Sequence, residues 1–151
     1  LYDVMGEVSA VELLATEYPE VDFIIPHLGS FADDWRAQLA LIDPLERYPN
    51  VYTDTSGVRR FDILEKAAKR VGAGKILFGS DGPWLHPGVE LAKVRALGFP
   101  PQEERKILAG NILRLMRPSG EPAPRGRTVV PAAAPPQEEA RDPWEADPFP
   151  V

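Results

Sequence analysis

Three short apolar segments, each leading directly into a polar residue, constrain the fold of this chain more than any other feature. VDFIIP precedes His27, VYT precedes Asp54 and KILFGS precedes Asp81. Between them lie segments in which apolar residues recur at helical spacing, with short connections. Strands and helices that alternate in this way form parallel sheets with right-handed crossovers. The sequence therefore predicts an α/β fold with the three polar residues at the carboxyl ends of strands.

The first half of the chain carries helix and strand signals in the order expected for this fold. Ser9 has the spacing of a capping box for a first helix. The apolar run Val21–Pro26 is typical of a strand buried on both faces. Asp33 or Asp34 is expected to cap a second helix, and Pro44 predicts that this helix bends or restarts. The β-branched and aromatic run that includes Asp54 is the second predicted strand.

The second half repeats the pattern. Asp62 is expected to cap a third helix, and Lys75–Phe78 is the third predicted strand. A helix from about Val89 to Leu97 follows, and Pro101 opens the last one, which restarts at Gly110-Asn111. The whole order is thus βαβαβα.

The chain is too short for a closed barrel. An eight-stranded α/β barrel takes about 250 residues, whereas this chain has 151. Three strands would leave two open edges, which natural proteins avoid, so we expect a fragment of a larger fold. Residues 118–151 contain nine of the 17 prolines and no regular period. We predict two parts, a partial barrel domain over residues 1–117 and a disordered, acidic Pro-rich tail over residues 118–151.

Composition narrows the classes of partner. The net charge is -6 and there is no basic cluster, so neither a nucleic acid nor an anionic membrane is an expected partner. The absence of cysteine excludes disulfides and thiolate catalysis. No apolar run reaches the roughly 18 to 20 residues of a membrane span. We expect a cytoplasmic protein that acts on a small molecule, with open strand edges that favour a homo-oligomer.

His27 and Asp81 are the main candidates for chemistry. A histidine at a strand end can serve as a neutral metal ligand or a proton shuttle, because its pKa lies near physiological pH. An aspartate can bind a divalent cation through one oxygen and accept a proton from bound water through the other. The alternatives are structural: a histidine bonded to a loop carbonyl, and a turn aspartate ahead of Gly82.

Four further residues are candidates for substrate binding. Arg59, beside a second arginine, could clamp a carboxylate, although adjacent arginines at a helix start are commonly solvated or paired with acids. Asp54 is a candidate substrate contact or a buried structural hydrogen-bonding group. Trp84 and His86 follow Asp81 and are candidates for a pocket wall, with a surface loop as the alternative. The phosphate motifs GxGxxG and GxxxxGK[ST] are absent, which argues against a nucleotide-binding fold.

Four motifs together resemble the amidohydrolase-related branch of the amidohydrolase superfamily, which includes metal-dependent barrel hydrolases, lactonases and decarboxylases. They are FIIPHLGSF, NVYTDTSG, KILFGSDGPW and GNILRL, within about residues 9 to 116. The resemblance implies strands 6 to 8 of a (β/α)₈ TIM barrel. It also implies that His27 lies at the metal, as a ligand or as an acid/base, and that Asp81 is a metal ligand that activates water.

This resemblance implies a metal-dependent hydrolase of an amide, ester or lactone, with Zn²⁺ as the expected divalent metal and a decarboxylase as the alternative. The first-strand HxH pair and the fifth-strand histidine of the family are absent from this chain, which has two histidines. Since a catalytic zinc takes about three protein ligands, we expect the chain alone to be inactive. A non-catalytic half-barrel that docks on a partner is the competing hypothesis.

Overall fold

The computed structural model describes residues 4–30 and 34–117 of the 151, all of them within the compact unit Leu1–Ser119. Its centre is a parallel sheet in the order β1-β2-β3, formed by Phe23–Ile25, Val51–Asp54 and Ile76–Leu77. Phe23 pairs with Val51, and Thr53 pairs with Ile76. The α/β class and the parallel arrangement are as the sequence predicts.

Within the described residues, one α-helix precedes the first strand and five others connect or follow the strands. A short 3₁₀ turn, Pro26–Gly29, follows β1, a second one, Ala73–Lys75, precedes β3, and a π-helical segment, Lys106–Gly110, separates the last two helices. The helices are α1 Val4–Glu17, α2 Trp35–Arg47, α3 Phe61–Val71, α4 Pro87–Ala96, α5 Pro101–Arg105 and α6 Asn111–Leu115.

The core consists of two groups of buried apolar side chains. The first joins α2 and α3 to β2 and contains Leu41, Leu45 and Leu64, each at most 1% exposed. The second joins β3 to α4 and the π-helical segment through Ile76, Val94 and Ile107, three side chains that are likewise at most 1% exposed. Burying one such side chain contributes about 1.5 to 3 kcal/mol, so these two groups hold the helices against one face of the sheet.

The first strand differs from its prediction in burial. The run Val21–Pro26 was expected to be buried on both faces, but Ile24 is 40% exposed and Val21 is 42% exposed. Among the described residues, β1 pairs with β2 alone. The prediction of full burial is wrong because a strand covered on both faces needs further elements around it.

Helix starts were predicted with mixed success. Asp34 caps α2 as expected, and its side chain accepts hydrogen bonds from Arg36 N at 3.0 Å and Ala37 N at 3.4 Å. The prediction for Ser9 is wrong, since α1 already runs from Val4. The break expected at Pro44 does not occur, because this proline lies in the last turn of α2 and the helix continues to Arg47.

The predicted cap at Asp62 is also wrong. Helix α3 begins at Phe61 with Arg60 as its N-cap, which places Asp62 inside the first turn. Its carboxylate instead accepts two hydrogen bonds from Arg60, at 2.8 and 2.7 Å. These hydrogen bonds lower the pKa of Asp62.

The last two helices and the π-helical segment between them form hydrogen bonds with β3 and the residues beside it. Pro101 opens α5 as predicted, and the helical path changes at Gly110-Asn111, where the π-helical segment gives way to α6. Phe78 N donates to Ile107 O at 2.8 Å. The buried Asn111 side chain donates to Ala73 O and Ile76 O, both at 2.7 Å. These bonds satisfy backbone groups at the sheet edge.

Two predictions concern residues outside this description. The tail over residues 118–151 and the alternative cap at Asp33 both lie there. Over residues 4–30 and 34–117, every helix falls short of the length and apolar character that crossing a membrane requires.

Candidate functional site

The three polar residues that end the apolar segments lie at one edge of the sheet. His27 is in the 3₁₀ turn that follows β1, and Asp54 is the last residue of β2. Asp81 lies in the loop between β3 and α4. Because the strands are parallel, all three residues follow carboxyl ends, the place where α/β folds assemble their sites.

The His27 ring is held by the backbone and side chain of Ser56. Its Nδ1 lies 2.9 Å from the Ser56 carbonyl oxygen and 2.9 Å from Ser56 Oγ. A carbonyl oxygen only accepts hydrogen bonds, so Nδ1 carries the proton and donates. In the neutral ring the lone pair is therefore on Nε2, the nitrogen suited to bind a metal or accept a proton.

Asp54 organises the same group through one oxygen. Asp54 Oδ1 accepts from His27 N at 3.0 Å, from Ser56 N at 3.0 Å and from Ser56 Oγ at 2.6 Å. The serine hydroxyl thus donates to the aspartate while it accepts from the histidine ring. Of the two roles considered for Asp54, the structural one is visible in these bonds, and they place a carboxylate behind His27.

Gly57 separates His27 from Asp81. A Cβ atom at this glycine would lie 3.0 Å from Asp81 Oδ2 and 3.2 Å from His27 Nδ1. The two candidate side chains therefore approach the same backbone position from neighbouring loops. The φ angle of Gly57 is +61°, so a side chain at this position would be strained by its backbone conformation and would press on both neighbouring side chains.

The loops at this edge are also packed closely at Gly79. A Cβ atom there would lie 2.7 Å from Ser56 Cβ and 3.1 Å from Asp54 Cγ, so a larger residue would displace the group that holds His27. Thr55 reinforces the contact, because its Oγ1 accepts from Gly79 N at 3.2 Å and donates to Gly79 O at 3.3 Å.

The other predicted site residues lie at the surface. Trp84 is 87% exposed, and Arg59 is exposed at the end of the loop after β2. His86 is the N-cap of α4, and its Nδ1 accepts from Gly88 N at 3.0 Å. Its proton is therefore on Nε2, the reverse of His27. The structure brings His27, Asp54 and Asp81 together and places Trp84, His86 and Arg59 in exposed positions around them.

The donor atoms suit a divalent metal in kind but not in number. Imidazole nitrogen and carboxylate oxygen are ligands of zinc and of other first-row divalent cations. Within residues 4–30 and 34–117, however, no group of three or more His, Cys, Asp or Glu side chains could hold a metal ion. His27 and Asp81 are thus donors for a site that needs further ligands.

Sequence reasoning missed Ser56 and Gly57. Both follow the second strand in the run TDTSG, where a small hydroxyl residue and a glycine directly after a strand are a usable signal. Their role depends on His27, which is 29 residues away from Ser56 in sequence, and that proximity follows from the pairing of β1 with β2.

Comparison with known proteins gives one family match. The model of the family described as "Amidohydrolase" matches residues 6–117. No curated protein sequence matches the chain.

Solved structures share the fold. 2,6-Dihydroxybenzoate decarboxylase from Rhizobium is 24% identical with a TM-score of 0.53, over 72% of this chain and 40% of that one. Amidohydrolase 2 from Bifidobacterium longum subsp. infantis is 23% identical with a TM-score of 0.56, over 70% and 43% of the two chains. Dihydroxybenzoic acid decarboxylase from Polaromonas sp. JS666, solved with bound manganese and the inhibitor 2-nitroresorcinol, is 23% identical with a TM-score of 0.53, over 72% and 39%. The chain therefore spans about two fifths of the length of these structures.

Proposed function

The chain belongs to the amidohydrolase family, and from this premise we propose that it forms part of a metal-dependent hydrolase of a small molecule with an amide, ester or lactone bond. The observation that supports the proposal most strongly is the pairing of His27 with Asp81 across Gly57. An imidazole and a carboxylate from the strands on either side of β2 are the groups such chemistry needs. The bonds of Ser56 and Asp54 to His27 pre-organise the imidazole.

The metal would be held by His27 and Asp81 together with ligands beyond the described residues. Zinc is the expected ion, and a bound divalent cation supplies a Lewis acid and lowers the pKa of a coordinated water. The residues of this chain contribute orientation and proton transfer. His27 presents Nε2 because Nδ1 is bound to Ser56, and the Asp81 carboxylate accepts the proton of the attacking water.

Decarboxylation is the second candidate. It is favoured by the solved structures that share the fold, among which are the decarboxylases from Rhizobium and Polaromonas. The same His27 and Asp81 would then polarise and protonate an aromatic carboxylate substrate instead of adding water. The two candidates differ in their product, since only decarboxylation releases carbon dioxide.

The test uses the natural gene product that contains these 151 residues. We expect stoichiometric divalent metal by elemental analysis, together with hydrolysis of at least one member of a panel of esters, lactones and amides. Release of carbon dioxide from hydroxybenzoate-type acids without such hydrolysis would support the second candidate. Absence of both metal and turnover would refute the proposed function.

Single substitutions in the same protein test the roles of His27 and Asp81. His27→Ala and Asp81→Ala should each lower kcat/KM by about 10²- to 10⁴-fold, the range for positioned acid/base groups. Lys69→Ala is the control, because this exposed lysine of α3 pairs with Glu65 on the helix surface. Wild-type activity in Asp81→Ala would remove Asp81 from the mechanism.

A further inference from the structure

A buried ion pair lies in α4, outside the group of His27, Asp54 and Asp81. Glu90 is 1% exposed, the most buried acidic residue among those described. Lys93 Nζ lies 2.6 Å from Glu90 Oε2, one turn further along the helix. Burying two charges costs free energy unless the pair is well bonded to its surroundings. The hydrogen bonds that Lys93 makes outside α4 therefore indicate the role of the pair.

Lys93 binds the loop that holds His27. Its Nζ donates to Thr55 O at 3.1 Å and to Val58 O at 2.9 Å. These two carbonyls bracket Ser56 and Gly57. The ammonium group therefore contacts both ends of the two-residue segment that contacts the imidazole, and the Glu90 carboxylate lies beside it as its counter-ion.

The ion pair also links this loop to Asp81. Helix α4 follows the loop that carries Asp81, and the Oδ2 atom of that residue lies against the Gly57 position. We propose that Lys93 and Glu90 are positioning residues, which clamp the Thr55–Val58 loop to α4 and thereby hold the His27 ring through Ser56. This inference deepens the proposed function and rests on it for the role of His27.

The alternative is that the pair serves stability alone. A buried ion pair is commonly replaced by apolar residues of similar size without loss of stability. The double variant Lys93→Met/Glu90→Met removes both charges and both carbonyl contacts while it fills the same space. It therefore separates placement of the loop from stability, whereas Lys93→Met alone leaves an uncompensated buried carboxylate.

The readout is the tautomer of His27 in the 151-residue chain, measured without metal by ¹H–¹⁵N correlation of the imidazole rings at a pH where they are neutral. The two histidines of the chain give opposite patterns, because His27 is protonated on Nδ1 and His86 on Nε2. In the double variant we expect the ratio of Nδ1–H to Nε2–H forms of His27 to fall by about fivefold, as expected for loss of a typical hydrogen bond. The His86 pattern should stay unchanged.

Lys106→Met/Glu103→Met is the matched control. This pair has the same i,i+3 spacing and the same 2.6 Å distance but is exposed, so the His27 ratio should not change. A double variant at positions 90 and 93 that folds with a wild-type His27 pattern would overturn the proposal. Loss of folding in that variant would also overturn it, in favour of a purely structural pair. Neither result depends on bound metal or on turnover. A failed activity test would therefore refute the proposed function without deciding whether Lys93 and Glu90 position His27.

Discussion

His27 and Asp81 both adopt left-handed backbone angles, with φ of 56° and 52°. Such a conformation costs a residue other than glycine about 1 to 2 kcal/mol, so other bonds must hold it. The His27 carbonyl accepts from Ser30 N at 3.3 Å and from the buried Gln38 side chain at 3.5 Å. Strained backbone held by its surroundings is frequent at functional sites, which agrees with the roles proposed for these two residues.

Substitution of Gly57 tests how closely His27 and Asp81 approach this residue. Gly57→Ala should lower the free energy of unfolding by about 2 to 4 kcal/mol, because positive-φ strain adds to displacement of His27 and Asp81. Gly98→Ala is the control, since its φ is +71° and a Cβ atom there meets nothing within 4 Å. It should lose about 1 to 2 kcal/mol from strain alone. Equal losses in urea unfolding would show that the space at Gly57 is not restricted.

The sequence predicts the positions of His27 and Asp81 because each ends an apolar strand, a signal contained within a few residues. The contacts of Ser56 could not be predicted in this way. They depend on the register of β1 against β2, which brings together residues 29 positions apart. A pattern within one segment carries no information about that register.

Two buried asparagines donate hydrogen bonds to backbone carbonyls near the amino-terminal ends of the strands, away from His27, Asp54 and Asp81. Asn50 donates to the carbonyl of Ala15 in the last turn of α1 and to those of Tyr18 and Val21 beyond it. Asn111 donates to Ala73 and Ile76 beside β3. An amide NH₂ group offers two donors, which suits a place where several backbone carbonyls converge.

Asn111→Asp should destabilise the chain by about 3 kcal/mol or more, because it replaces both donors with acceptors that face two carbonyls. Thermal or urea unfolding measures the change. Gln102→Glu makes the same amide-to-carboxylate exchange at an exposed position of α5, and we expect it to stay within about 0.5 kcal/mol of wild type. A similar small effect at Asn111 would mean that its two hydrogen bonds contribute little.

Strands and helices are predicted well from the sequence, whereas their ends are not. Each strand and helix signal has a counterpart in the structure, since periodicity extends over many residues. The predicted caps at Asp62 and Ser9 are wrong because α3 and α1 both start earlier in the sequence. Such ends depend on a few competing bonds of about 1 kcal/mol each.

Among the described residues, α1, β1 and the connection between them carry exposed apolar side chains. Leu13, Tyr18, Val21 and Ile24 are each at least 40% exposed, and β1 pairs with β2 alone within the described part. The chain spans about two fifths of the solved structures that share its fold. An edge strand with exposed apolar side chains favours pairing with another chain.

The 151-residue chain should therefore self-associate as its concentration rises, as sedimentation velocity would show. Ile24→Lys should weaken this association by about tenfold, because a charge on an edge strand opposes edge-to-edge pairing. Val89→Lys introduces the same charge at an apolar residue of α4 that is 60% exposed and should leave the association unchanged. A monomer at all concentrations, or equal effects of both variants, would contradict the assignment of β1 as the contact.

Elemental analysis of the 151-residue chain tests whether its set of metal ligands is incomplete. With two donor residues for the metal, it should bind less than one zinc per chain. One tightly bound zinc per chain would contradict the incomplete ligand set. The incompleteness is visible in the sequence as a shortage of histidines, but which strands of a barrel are present is not encoded locally and stays a prediction.

The π-helical segment Lys106–Gly110 determines the direction in which the side chains of α6 point around the helix axis. Each residue of an α-helix advances the chain by about 100° around the axis. Inserting one residue in α5 would rotate Asn111 by about that angle and turn its amide away from the carbonyls of Ala73 and Ile76. Exposed side chains along this stretch can vary, whereas an added residue cannot be accommodated, so insertions should be excluded where surface substitutions are accepted.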